Sequence, residues 1–93
     1  MSNNPKVVEA GNFMSLGQSD VAEFYGEFNV NLSGFGVATV ALERSYNDGS
    51  TWKTVSSFSG DTDLVCREPE LGIQYRFNCT AYTSGNIAYR LSQ

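Results

Sequence analysis

The sequence predicts an all-β fold, a single antiparallel β-sandwich of six to seven strands, immunoglobulin-like or jelly-roll-like, behind an extended N-terminal arm. Three observations carry that expectation. From Ala22 to Leu32, small or apolar residues (Ala22, Phe24, Gly26, Phe28, Val30, Leu32) alternate with polar Glu23, Glu27, Asn29 and Asn31, Tyr25 being the amphipathic exception. A period of two is that of a strand with one buried and one wet face. Beyond Gly26, glycines recur at Gly34 and Gly36, Gly49, Gly60, Gly72 and Gly85, and turn signals about ten to thirteen residues apart suit a series of short strands. No segment shows the i, i+3, i+4, i+7 apolar spacing behind a capping residue that marks a helix.

Residues 1–20 differ from the rest. They mix Ser, Asn, Pro and Gly with isolated apolar residues, Val7, Val8, Phe13, Met14 and Leu16, and hold one five-residue candidate strand, Lys6 to Ala10. They are read as an arm, ordered by its own domain or by a neighbouring subunit, with the sandwich domain spanning 21–93. After the strand at Ala22–Leu32, Val37 to Tyr46 forms a second, with Val40 and Leu42 inward and Thr39, Glu43 and Ser45 outward. Trp52 to Ser59 follows as its hairpin partner. Thr62 to Cys66 makes a short edge strand before an Arg67-Glu68-Pro69-Glu70 turn, because proline cannot donate to a central ladder. Ile73 to Ala81 alternates again, with Ile73, Tyr75, Phe77, Cys79 and Ala81 on one face, and Ile87, Tyr89 and Leu91 close the core.

Composition narrows function. Ninety-three residues make one domain, small enough that neighbours in an assembly can supplement its core. Histidine is absent, which removes the commonest general base and metal ligand. Two cysteines cannot build a four-thiolate zinc site, and a net charge of −4 offers no electrostatic basis for nucleic-acid binding. No apolar run approaches a membrane span, and the first twenty residues lack a basic region followed by an apolar one, so the chain is expected to remain in the cytosol where it is made. Cys66 and Cys79 are accordingly read as reduced small hydrophobes; a bridge between them would require an oxidising destination. Glu23 and Glu27, four residues apart on one strand face, stand about 13 Å from each other, too far for a glycosidase pair. Asp61, Asp63, Glu68 and Glu70 read as a solvated acidic turn. No catalytic group, metal site or cofactor is expected.

Two groups of residues stand out. Ser45-Tyr46-Asn47-Asp48-Gly49-Ser50-Thr51-Trp52 resembles the Asp-box of bacterial sialidases and related propeller proteins, Ser-x-Asp-x-Gly-x-Thr-Trp. Ser45, Gly49, Thr51 and Trp52 match, while Asn47 stands where that family has aspartate. The motif's content is a hairpin: an Asx side chain bonds backbone amides, Gly49 takes a positive φ, and the indole folds back. The chain is too short for a propeller, so the likeness implies no sialidase activity. The second group is a candidate interface: Val7, Val8, Phe13 and Met14 from the arm, Tyr25 breaking a polar strand face, and Arg76, Tyr82 and Arg90 opposite the apolar positions of their strands. Exposed Arg and Tyr are what protein interfaces enrich.

The run Val40 to Trp52, together with Tyr75 to Gly85 and Tyr89 to Ser92, resembles small β-sandwich virion proteins of tailed bacteriophages. The likeness covers Phe24 to the C-terminus and leaves out the arm. It implies a capsid decoration or cement subunit: a structural protein on the outer surface of the virion, assembled in the host bacterial cytoplasm. Its implied partners are the major capsid protein and copies of itself, as a dimer or trimer, with neither nucleic acid nor membrane. Many modest contacts would add up by repetition over the lattice. The alternative is a carbohydrate- or receptor-binding module, or an accessory protein, of the phage tail or fibre, for which Tyr25, Trp52, Tyr82 and Tyr89 would form the stacking platform.

Overall fold

The computed structural model describes residues 8–93. Seven strands form one antiparallel sheet: β1 Val8–Phe13, β2 Gly17–Gln18, β3 Ala22–Phe35, β4 Ala38–Ser45, β5 Lys53–Phe58, β6 Thr62–Tyr82 and β7 Gly85–Ser92. Their order is β1-β7-β3-β6-β4-β5, with β2 pairing β6 off that path. Among the described residues there is no helix. The all-β antiparallel architecture expected from the alternation is therefore observed, with all strands joined in a single hydrogen-bonded sheet.

Length forces that sheet to bend. The 21 residues of β6 would reach about 69 Å if straight at the usual rise per residue, whereas the longest dimension of the described residues is 43 Å. The bend falls where β6 and β3 lose register. Phe24 pairs with Ile73 and Gly26 with Glu68, so Tyr25 alone faces the four residues Pro69 to Gly72. Gly26 and Gly72 flank this bulge at φ 85° and 78°, a left-handed conformation that side chains resist. Pro69 has no N–H to offer a ladder. Of the Arg67–Glu70 stretch, expected as a turn ending one strand and preceding another, Arg67 and Glu68 stay paired with Glu27 and Gly26, and only Pro69 and Glu70 fall in this interruption inside β6.

The bend brings together residues that the ladder keeps apart. Tyr89 of β7 is linked through Leu32 to Thr62, the first residue of β6. Its ring nevertheless meets Phe77, fifteen positions further along β6 by numbering, edge-on at 5.7 Å between centroids. The inner face so enclosed holds Phe24, Phe28, Val30, Leu32, Val40, Leu42, Ile73, Phe77, Ile87 and Leu91, each almost wholly buried. Phe24 and Phe28 stack at 4.6 Å on either side of Gly26. Each such side chain contributes on the order of 1.5–3 kcal/mol through its removal from water.

Of the segment expected as an arm, Val8–Phe13 and Gly17–Gln18 are strands of this sheet. β1 pairs with β7 from Val8↔Ser92 to Phe13↔Ile87, and β2 sets Gly17 and Gln18 against Cys79 and Asn78. Ser19 fastens the connection, its N–H donating to the Phe77 carbonyl and its hydroxyl accepting from the Phe77 N–H, both at 2.9 Å. β1 overlaps the candidate strand Lys6 to Ala10 and runs on to Phe13, an extension that Gly11 and Asn12 hide from a hydrophobic-pattern reading because the affinity of an edge strand comes from the ladder. Val7 lies outside the described residues.

Candidate functional site

The β4–β5 hairpin carries the Asp-box-like motif, and its hydrogen bonds explain each matched residue. The Ser45 hydroxyl donates to Asn47 Oδ1 at 2.8 Å and accepts from the Gly49 N–H at 2.8 Å. Asn47 Oδ1 also accepts the Thr51 N–H at 3.0 Å, while Asn47 Nδ2 donates to the Thr51 hydroxyl at 2.7 Å. Asp48 and Gly49 adopt φ 58° and 84°, and the Trp52 indole lies over Gly49, 3.5 Å from where a Cβ there would stand. The Arg76 guanidinium covers the indole at 4.2 Å. Arg76 Nε donates to Glu43 Oε1 at 2.8 Å, and Asn78 Nδ2 to Glu43 Oε2 at 3.2 Å. This face of β4 is thus closed by its own side chains: Glu43 and Ser45, expected outward on a wet face, are buried beneath the hairpin and its cover.

The expected interface residues are not gathered on one patch. Phe13 belongs to the core, 6% exposed, with its ring 4.7 Å from Tyr89. Its parity continues from Gly11 toward the inner face, so it is not offered to a partner. Val8 and Met14 are exposed on and just after β1, and Tyr25 is exposed at the bend. Arg76 is held by Trp52 and Glu43, and the Tyr82 hydroxyl donates to the Gly85 carbonyl at 2.5 Å across the β6–β7 turn. Arg90 Nη1 reaches Ser92 Oγ at 2.9 Å. Arg90 also lines an open groove of about 820 Å³ over β1, β7, β3 and the start of β6, with Ala10, Asn12, Asn31, Ser33 and Asp63.

One buried cluster escaped the sequence reading. Glu68, expected in a solvated acidic turn, is 1% exposed. Its Oε1 accepts Arg44 Nη2 at 2.7 Å, Arg44 Nε at 3.0 Å and the Tyr75 hydroxyl at 2.6 Å, and its Oε2 accepts the Glu70 N–H at 3.0 Å. Burial alone favours the neutral acid, but the Tyr75 hydroxyl, the Arg44 guanidinium and the Glu70 N–H outweigh it and hold the carboxyl below the usual carboxylate range. Burial, with the adjacent carboxylate, pushes the Tyr75 hydroxyl up to about 12. Since Glu68 and Tyr75 lie on opposite sides of the bulge, the carboxylate clasps the two arms of bent β6. The signal was parity: Glu68 is in phase with Leu64 and Cys66, and Arg44 with Val40 and Leu42, two opposite charges each on an apolar face.

Chemically, none of these groups forms a nucleophile with its base. Burial raises the thiols of Cys66 and Cys79, both free, away from the reactive thiolate. Among the described residues no three acidic or cysteine side chains converge as metal ligands. What the surface does offer is unpaired backbone. β3 occupies one margin of β6 from Thr62 to Tyr75, and β4 occupies the other only from Gln74 to Tyr82. The second margin of β6 from Thr62 to Glu68 therefore has no strand beside it among the described residues, and the outer margins of β1 and β5 are likewise open. No family model, curated protein or solved structure matches the chain.

Proposed function

We propose that this protein is a structural subunit of a multi-copy assembly that works through the open margins of its sheet. In the specific form implied by the resemblance of Val40–Trp52, Tyr75–Gly85 and Tyr89–Ser92, it is a decoration or cement protein on the capsid of a tailed bacteriophage. It contacts the major capsid protein and further copies of itself. The observation that carries this reading is the open strand margins of β1, β5 and the first part of β6, which are backbone available for pairing with another chain. The aromatic platform of the rival reading fits less well. Arg76 covers one face of Trp52, Tyr89 packs between Phe13 and Phe77, and the Tyr82 hydroxyl is spent on its own turn.

The groove lined by Asn31, Asp63 and Arg90 favours a second reading, a glycan- or receptor-binding module of the tail or fibre, because amide and carboxylate side chains suit sugar hydroxyls. One experiment separates the two. Purified protein is incubated with phage heads lacking it and, in parallel, with host surface glycan. Co-sedimentation with heads at a fixed ratio to the major capsid protein supports the cement role. Binding to glycan alone overturns it.

A further inference from the structure

We infer that the open margin of β6 pairs with the same margin of a second copy of this chain, antiparallel about a two-fold axis at Val65. The available stretch is bounded by Thr62, where β6 begins, and by Pro69, which has no N–H to extend a ladder. Its midpoint is Val65. In antiparallel self-pairing about that residue, Thr62 faces Glu68, Asp63 faces Arg67 and Leu64 faces Cys66. The string Thr-Asp-Leu-Val-Cys-Arg-Glu is charge-complementary to its own reversal. Every dimer then gains two Asp63–Arg67 cross-strand pairs flanking a Val65–Val65 contact, the arrangement that stabilises sheets.

The exposure pattern fits that occupant. Asp63, Val65 and Arg67 share the outward parity and are all exposed, Val65 at 67%, and Leu64 beside them is 43% exposed. Within its own subunit Arg67 lies across from Glu27 yet makes no ion pair or side-chain hydrogen bond among the described residues. In the pair it sits between that carboxylate and the partner's Asp63. Asp63 keeps its bond from Asn31 Nδ2 and has lone pairs left for the incoming guanidinium. The margins of β1 and β5 are less suited. β1 carries no cation, and β5 has a single charge, Lys53, with no acid to meet it. Edges usually escape self-pairing through lysine or proline, and neither occurs between Thr62 and Glu68.

The pairing names the self-contact within the proposed assembly role, and it is tested on purified protein without any shell, so its failure is distinguishable from failure of the capsid reading. Sedimentation velocity across a concentration series gives the dimer constant for native protein, Asp63→Arg, Arg67→Asp and the double exchange. Each single reversal places like charges opposite one another and is expected to weaken dimerisation about tenfold or more. The double exchange restores the pair between subunits and associates more tightly than either single reversal, short of native because position 67 still faces Glu27 within its own subunit. In a Cys66→Ser background, Val65→Cys should form a disulfide-linked dimer on oxidation. Facing residues across an antiparallel pair lie about 4.5–5.5 Å apart at Cα, within disulfide reach. Val55→Cys on β5 serves as the control. Equal association of native, single and double variants, a monomer throughout, or crosslinking through Val55 and not Val65 each overturns the inference.

Discussion

Removing the Glu68 carboxylate tests directly whether the bend is clasped as described. Glu68→Ala deletes the acceptor of two bonds from Arg44, one from Tyr75 and one from the Glu70 N–H. Losing one partner of a buried ion pair typically costs about 3–5 kcal/mol, because the other charge is stranded. Arg44 is 31% exposed along its side chain and regains water, which places the expected loss near the lower end, about 3 kcal/mol. For a domain of this size that lowers the thermal midpoint by roughly 12–24 °C. Glu68→Gln keeps the shape and an acceptor for Tyr75 but loses the charge and turns an amide N–H toward the Glu70 donor, so about 1–2 kcal/mol is expected. Urea titration followed by circular dichroism reads both. The native carboxyl is held below its unfolded value, so its contribution is complete above about pH 4.3 and is lost as pH falls below that. The native protein should therefore have a steeper acid limb than Glu68→Gln. A Glu68→Ala protein within about 0.5 kcal/mol of native, as for ordinary surface changes, refutes the clasp.

The remaining predictions concern the core, the hairpin and the alkaline limb. Phe77→Ala, at a fully buried ring against Tyr89, should cost about 3–5 kcal/mol by denaturant titration. Trp52 is only half-buried, so a double-mutant cycle between Trp52→Ala and Arg76→Ala should give a coupling of about 0.5–2 kcal/mol, the range of a cation–π contact. Asn47→Ala should destabilise the hairpin by about 1–2 kcal/mol. Asn47→Asp should be nearly neutral, since Oδ1 keeps the Thr51 amide and the Thr51 hydroxyl can turn to donate. The Tyr75 hydroxyl is raised to about 12, above its unfolded value of about 10. Its contribution is therefore full below pH 10 and disappears as pH rises toward 12, and ultraviolet titration should find a late ionisation that Tyr75→Phe removes.

The sequence was most readable where one strand face is plainly apolar. Alternation in Ala22–Leu32 and Ile73–Cys79 matches the buried faces of β3 and β6, whereas Ala81, beyond the register shift opposite Thr39 and Val40, is exposed; Val40 and Leu42 point inward as their parity requires. The motif at Ser45–Trp52 was readable because its hydrogen bonds are local, made by residues two to four apart. What parity cannot convey is a bend. Pro69 and Gly72 suggested an end to one strand, yet β3 stays beside β6 on both sides of the bulge, so a pairing between distant residues overrides the local punctuation. The same limit hid Glu68, whose burial follows from Arg44 and Tyr75 arriving from elsewhere in the sheet. β1 was legible only in part, as the candidate strand Lys6 to Ala10, for another reason: an edge strand is stabilised by backbone bonds to β7, which leave little mark in composition. Arg76 looked available because its cross-strand partners, Trp52 and Glu43, are invisible until register is known.

Assembly through strand margins is most directly tested by amide hydrogen exchange on the protein free and bound to the capsid shell. Slowed exchange is expected at one or more of Val8–Phe13, Lys53–Phe58 and Thr62–Glu68, the segments whose margins are open in the single chain. Slowing confined to the groove around Asn31 and Arg90, or no slowing at any of the three segments, would contradict it.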